Sequence, residues 1–290
     1  MYGVTRSGEK IFYDTKQQKT LEFIYGTKIG RIILKVIYRP FISKVCGIFL
    51  NSSLSKFMIK KFVKKNNINL EDYEAEDYSS FNEFFTRKIK NGKRNINSDD
   101  NMLISPCDSK LSIYKIENDN KFHIKESHYC VTDLLDNAEI SKEYMDGYCL
   151  IFRLTVDDYH RYCYLDNGVK DKNIFIKGVL HTVNPIADKK YKIYKTNCRE
   201  YTVLHTKNFG DVIQMEVGAM IVGKITNYHD EYTFSKGEEK GKFEFGGSTI
   251  VLLFKKDVIK IDEDIVINSN NGIETIVKMG EKIGSKIICK

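Results

Sequence analysis

The chain has no tryptophan, and only three prolines in 290 residues. Its seven cysteines are odd in number and scattered, and none forms a C-x-x-C pair. That excludes a disulfide framework of the secreted kind and the usual zinc-ligand spacings. No metal site is expected. Met1 to Lys10 lacks the apolar core of a signal peptide, and no apolar run reaches the ~18 to 20 residues that span a bilayer. These absences together predict an intracellular, reducing compartment. Low-complexity segments and internal repeats are also missing. A hydrophobic fraction of 42% fits a chain that buries a substantial core.

One further absence is local. Between Phe23 and Leu70 there is no acidic residue, whereas ten basic ones occur there: Lys28, Arg31, Lys35, Arg39, Lys44, Lys56, Lys60, Lys61, Lys64 and Lys65. Isoleucines, phenylalanines and leucines lie between them, and Pro40 marks a helix end or start. Such a helical segment suits the interface of an anionic membrane, with apolar side chains at the acyl boundary and cations at the headgroups. It also suits a helical pair packed on the core with solvated lysines. Nucleic acid is the weakest reading, because the apolar face is large and no reading motif is present.

Residues 1–65 read as helical, and an acidic stretch, Glu71 to Asp77, follows as a solvated boundary. Ser79-Ser80 before Phe81, with Glu83 three residues on, is a helix start with a capping box. From about Leu103 the texture becomes β-rich. Leu150–Leu154, Tyr162–Leu165, Val212–Val217 and Ile250–Phe254 read as strands. They are separated by turn signals at Asp166-Asn167-Gly168, Asn208–Asp211 and Ser235–Glu238. The fold class expected is α+β: a helical, membrane-associating N-terminal region over 1–70, then a β-rich domain of barrel or sandwich type over 71–290.

Three stretches carry candidate chemistry. In Phe243-Glu244-Phe245-Gly246-Gly247-Ser248-Thr249 a serine follows two glycines, which permit unusual backbone conformations. A serine hydroxyl needs a base before it becomes a nucleophile, and alone this stretch reads equally as a turn. Asp108, in Ser105-Pro106-Cys107-Asp108-Ser109-Lys110, reads as a turn residue or as an acid. His160, in Asp157-Asp158-Tyr159-His160-Arg161-Tyr162-Cys163, reads as structural or as a base. Together they offer nucleophile, base and orienting acid.

In order, these stretches resemble the pyruvoyl-dependent phosphatidylserine decarboxylases of bacteria. Phe81 to Lys88 (FNEFFTRK), Ser105 to Lys110, Asp158-Tyr159-His160-Arg161, His181 to Pro185, Asn197 to Glu200, Phe209-Gly210, Val217 to Gly223, Lys236 to Gly241 and Gly246 to Thr249 carry the resemblance. It implies that the precursor cleaves itself between Gly247 and Ser248. The products are a β chain, 1–247, and an α chain, 248–290, which stay together as a heterodimer. It also implies that Ser248 becomes a covalent pyruvoyl cofactor, an electron sink of the pyridoxal type made from the chain itself. The reaction implied is decarboxylation of phosphatidylserine to phosphatidylethanolamine and CO2, by a peripheral enzyme on the cytoplasmic face of the cell membrane. The resemblance is compatible with a dimer of such heterodimers.

By position, Asp108 matches the acid of the family's processing triad and Ser248 its nucleophile. The family pattern D-Y-H-R-x-H places a second histidine where this chain has Cys163, and that histidine is the usual base. The base here is therefore His160, the Cys163 thiolate, or a histidine from elsewhere, such as His181 or His205. Ser109 stands where the family has glycine. Two other readings are a soluble pyruvoyl-dependent amino-acid decarboxylase, and a non-enzymatic membrane-bound β-domain adaptor.

Overall fold

The structure, a computed structural model, describes residues 2–13, 15–75, 77–124, 127–183, 192–219, 224–246 and 248–288. Gly247, Asn184-Pro185 and Met220 to Gly223, parts of three stretches singled out above, lie outside the described residues.

The chain begins with a short hairpin, β1 (Tyr2–Thr5) and β2 (Lys10–Phe12). Four helices follow: α1 (Thr15–Gly26), α2 (Lys28–Ile37), α3 (Pro40–Asn51) and α4 (Phe57–Asn66). Pro40 opens α3, in the first turn, where a missing N–H costs nothing. Helix α5 (Phe81–Phe85) starts as its sequence predicts. Ser80 Oγ accepts from Glu83 N at 3.2 Å, and Glu83 Oε2 accepts from Ser79 N at 2.6 Å.

The strands that follow are β3 (Met102–Ile104), β4 (Ser109–Lys115), β5 (Lys121–Ile124), β6 (Ser127–Cys130), β7 (Tyr148–Leu154), β8 (Arg161–Cys163), β9 (Gly168–Lys170) and β10 (Ile174–Ile176). After them come β11 (Arg199–Thr206), β12 (Gly210–Gly218), β13 (Ile225–Asn227), β14 (Tyr232–Phe234), β15 (Glu239–Phe243), β16 (Ser248–Phe254), β17 (Ile259–Ile261), β18 (Glu274–Val277) and β19 (Lys282–Lys286). The main sheet runs β14-β9-β11-β12-β16-β7-β4-β18-β1-β2, with β10 on β11. All its pairs are antiparallel except β1 with β18. Two three-stranded sheets, β13-β15-β8 and β17-β19-β3, and the β5-β6 hairpin lie outside the main sheet.

Two expectations are corrected. The β-rich region is not a closed barrel, since the main sheet ends in edge strands β14 and β2. Nor are residues 1–65 helical throughout, because β1 joins that sheet beside β18, more than 260 residues away in sequence.

Strand β16 is buried along its whole length. Ile250, Leu252 and Phe254 enter one apolar cluster, while Val251 and Leu253 enter the cluster on the opposite face. A strand packed on both faces has no need of polar alternation, which explains the unbroken apolar run after Thr249. Ser248 stands at the head of this central strand. A third cluster joins Leu50 and Ile59 of the N-terminal helices to Phe81, Phe84 and Phe85 of α5.

Candidate active site

Pairing of β16 with its two neighbours places Ser248 opposite Gly218 on β12 and Leu154 on β7. The chain leaving β7 at Leu154 forms the tight loop Thr155–Tyr159, which carries His160 back toward Ser248. The segment leading into Ser248 is fixed at the same point. Phe243 N donates to His160 O at 2.9 Å, and Phe245 N donates to Asn82 Oδ1 at 3.0 Å. Gly246 has φ +138°, a backbone that side chains rarely adopt. The D-Y-H-R and G-G-S-T stretches, 88 residues apart, therefore meet.

Ser248 Oγ lies 3.4 Å from His160 Nδ1, and both residues are fully buried. The other ring nitrogen, Nε2, lies 3.0 Å from the Thr155 carbonyl oxygen. A carbonyl oxygen only accepts, so Nε2 carries the proton and Nδ1 offers its lone pair to the serine. Burial, reinforced by the charge of Arg87, lowers the His160 pKa to about 3, so the ring is neutral at pH 7. The Phe85 ring covers the imidazole at 4.1 Å between centroids, and Phe245 packs on Phe85 at 4.9 Å.

The loop holding His160 is itself braced. Asp158 Oδ2 accepts from Thr155 N at 2.7 Å, Thr155 Oγ1 at 3.0 Å and Lys110 Nζ at 2.6 Å. Burial pushes the Asp158 carboxyl above its ordinary range, with Lys110 pulling against it. Lys110 and Asp158 are both nearly inaccessible, so each is the other's counter-charge.

Asp108 occupies a different cluster. Arg94 Nε donates to it at 2.8 Å, with Arg94 Nη2 also engaged, Met279 N at 2.9 Å and Lys278 Nζ at 3.3 Å. Burial would raise its carboxyl, but Arg94 and Lys278 overcome this and hold it below the ordinary range. The turn bearing Asp108 docks on β8 through Cys163 N to Pro106 O at 2.9 Å. Among the described residues, the structure thus brings Ser248 and His160 into contact and gives Asp108 no hydrogen bond or ion pair with either.

Cys163 lies in the apolar core, where burial pushes its thiol up to about 12. It is protonated at neutral pH and carries no thiolate. His205 is exposed between Asp171 and Asp211, which raise its pKa. His181 faces Tyr25 OH at 3.3 Å, and Asn197 Nδ2 joins its carbonyl to that of Gly218. Among the described residues, His160 is the histidine within reach of Ser248 Oγ.

These contacts bring in residues that sequence reasoning did not single out. Thr155, Lys110 and Phe85 shape the surroundings of His160, and Asn82 fixes the approach to Ser248. Three of the four stand inside stretches already conspicuous, Ser105–Lys110 and Phe81–Lys88, so the signal was present without a role attached. Thr155 had none.

Comparison with known proteins bears on this geometry. The family described as phosphatidylserine decarboxylase matches residues 81–285. The chain belongs to that family. Among its relatives, the phosphatidylserine decarboxylase proenzyme 2 of Clostridium acetobutylicum is 53% identical over 282 residues, covering 96% of each chain. A phosphatidylserine decarboxylase proenzyme of Clostridium botulinum (strain 657 / Type Ba4) is 44% identical over 275 residues, covering 93% of each. That of Clostridium novyi (strain NT) is 41% identical over 297 residues, covering 99% of this chain and all of the relative. The family match begins at Phe81 and so takes in α5, the Asp108 turn, His160 and Ser248, leaving the N-terminal helices outside it.

Proposed function

We propose that this chain is a proenzyme that decarboxylates phosphatidylserine after cutting itself at Gly247–Ser248, with His160 as the base of the cut. The observation that carries the reading is the 3.4 Å approach of a neutral, buried imidazole to Ser248 Oγ in a family whose named relatives are proenzymes.

In the first step His160 Nδ1 takes the proton of Ser248 as its oxygen attacks the Gly247 carbonyl, then passes it to the Ser248 nitrogen as the carbonyl–nitrogen bond breaks, so that the amide becomes an ester. Loss of the proton on the Ser248 α-carbon then expels the Gly247 carboxylate and leaves dehydroalanine. Water converts this to a pyruvoyl group and ammonia. Thr155, braced by Asp158 and Lys110, keeps Nε2–H engaged, so the lone pair stays on the reacting side. Asp108 acts at one remove, by fixing the turn on which β8 rests.

The residues present suit the pyruvoyl cofactor. It is made from Ser248, and the buried, aromatic-walled position would keep water from it. Its chemistry is that of an electron sink for the carbon that loses CO2. After cleavage His160 remains beside that position, where Nδ1 can accept a proton and hand it back.

The two products, 1–247 and 248–290, form a heterodimer, because β16 lies between β12 and β7 in the middle of the main sheet. No helix of the described residues is long and apolar enough to cross a membrane. Instead α2 to α4 expose Ile32, Phe41, Ile48 and Phe57 at 65%, 70%, 67% and 76%. With the basic residues of that region they form a surface for peripheral binding at the anionic cytoplasmic face, where the lipid substrate resides.

Mass spectrometry of the purified protein tests the proposal. Two chains meeting at Ser248, the smaller one blocked by pyruvoyl, are expected. A single intact chain retaining Ser248 sinks it.

A further inference from the structure

Among the described residues the buried cations have close partners, with one exception. Arg94 pairs with Asp108, Lys110 with Asp158, Arg153 with Glu274 and Lys240 with Glu216. Arg199 is held by the carbonyls of Leu134, Asp133, Lys195 and Asn197, the first at 2.7 Å. Arg87 is 2% exposed and has no carboxylate partner among the described residues. Among the described residues its Nε has no hydrogen-bond partner. Nη1 reaches the Phe84 and Phe85 carbonyls only at 3.4 and 3.5 Å, and Nη2 reaches Tyr73 OH at 3.3 Å. The guanidinium lies over the ring of Tyr73, at 4.4 Å, and over that of Phe84, at 4.9 Å.

A guanidinium held this dry is costly unless an anion meets it. Stacking fixes its plane, and its donors are left with long bonds or none. That is an unfilled fork suited to a planar or tetrahedral oxyanion. Its place is informative too. Arg87 follows α5, whose Phe85 covers His160, and its charge is felt at that ring. On its other side α5 packs against Leu50, Ile59 and Phe62 of the apolar N-terminal helices. Arg87 therefore stands between a region suited to acyl chains and the residues proposed to react.

We infer that Arg87 receives the phosphodiester of the lipid headgroup bound beside Ser248. This rests on the Ser248–His160 reading of the site. Phospholipid chemistry has the same order: acyl chains, then phosphate, then the serine that reacts. The substrate's carboxylate fits Arg87 less well. It loses its charge as CO2 departs, so a tight ion pair to it would favour the ground state over the transition state. The phosphodiester keeps its charge throughout and offers binding without that penalty. A merely structural role, capping the carbonyls that end α5, would leave lipid affinity untouched.

The test uses full-length Arg87→Gln and Arg87→Lys proteins, with phosphatidylserine as substrate and phosphatidylethanolamine as inhibitor, both in mixed micelles. Phosphatidylethanolamine has the phosphodiester and lacks the carboxylate. Cleavage at Ser248 is scored first in both variants, and the lipid constants are then read on the cleaved protein. Their KM for phosphatidylserine and inhibition constant for phosphatidylethanolamine should rise together by about tenfold or more, with kcat within about threefold. Arg87→Lys keeps the charge and loses the fork, so it remains readable if Arg87→Gln does not fold. Unchanged constants overturn the inference. A rise in KM without weaker phosphatidylethanolamine inhibition also overturns it, since that assigns Arg87 to the carboxylate. Failure of both variants to cleave would place Arg87 in processing instead and overturn it as well. Wild-type protein left uncut at Ser248 would be a separate failure, that of the site itself.

Discussion

His160 is held between Ser248 and Thr155, with Nδ1 3.4 Å from the serine oxygen and Nε2 3.0 Å from the threonine carbonyl. One ring nitrogen is thereby committed as donor and the other as acceptor. Replacing His160 with Ala removes the only acceptor that the described residues place against Ser248 Oγ. Self-cleavage of newly made protein should slow by roughly 10²- to 10⁴-fold, the usual worth of a positioned base. Cys163→Ala should cleave at a near-normal rate, at a cost of about 1 kcal/mol of stability for a small core change. Gel analysis of cleavage over time decides. A block in Cys163→Ala with His160→Ala still cutting would reverse the assignment.

Two buried carboxylates compete for the orienting role. Asp158 is one hydrogen bond from the Thr155 backbone that aligns His160, whereas Asp108 answers to Arg94 and Lys278. Asp158→Asn strands Lys110 in the interior, a loss of about 3 to 5 kcal/mol for a broken buried pair. In the fraction that remains folded, cleavage should fall further than in Asp108→Asn at equal loss of thermal stability. Paired melting curves and cleavage rates measure this. A larger kinetic loss at Asp108 would return the orienting role to the residue that family position suggests.

The contrast shows what was legible in the sequence. Strands such as Ile250–Phe254 and Val212–Val217 were plain, because both faces of β16 and one face of β12 are apolar and their turns are marked by glycine and asparagine. The capping box at Ser80 and Glu83 was plain because capping is local. The N-terminal hairpin was not. Lys10–Phe12 is exposed along its length, and β1 is a strand because Glu274–Val277 lies beside it. The expected barrel failed for a related reason, since alternation identifies strands but not whether the sheet's edges close. Ser248, His160 and Asp108 were singled out by type and order. The fact that the first two touch and the third does not is set by the register of β16 on β7 and by the loop that leaves Leu154.

Burial of His160 has a measurable acid signature. Its pKa is about 3 folded, against 6.5 as the ordinary value. Between those values the unfolded chain binds a proton that the folded chain does not, so stability falls as pH drops through 6.5. At pH 5 this one group should cost about 2 kcal/mol relative to pH 7. Denaturant melts of an uncleavable Ser248→Ala protein, compared with Ser248→Ala/His160→Gln, isolate the term. In the cleavable protein the rate should vary less than about twofold from pH 8 to 5.5. A base of ordinary pKa would lose about tenfold over that range. A midpoint near 6.5 in the cleavage profile would show that the ring is wetter than the structure has it.

The N-terminal helices make a prediction about place. Ile32 on α2 and Ile48 on α3 are each about two-thirds exposed and lie within a stretch that is basic throughout. On a soluble surface they cost solvation and do nothing, whereas at a membrane they enter the acyl boundary while neighbouring cations meet the headgroups. Ile32→Glu together with Ile48→Glu removes two apolar contacts worth about 1.5 to 3 kcal/mol each when fully buried, and adds two charges of the wrong sign. Vesicle affinity should fall by at least about 100-fold. Flotation with phosphatidylserine-containing vesicles measures it, and raising the salt should weaken wild-type binding as the lysines are screened. Cleavage at Ser248 should be unchanged in the double variant, because neither isoleucine touches the β-sheet site. Wild-type protein that stays in the soluble fraction at low salt would refute membrane docking by this face and leave the Ser248–His160 chemistry standing.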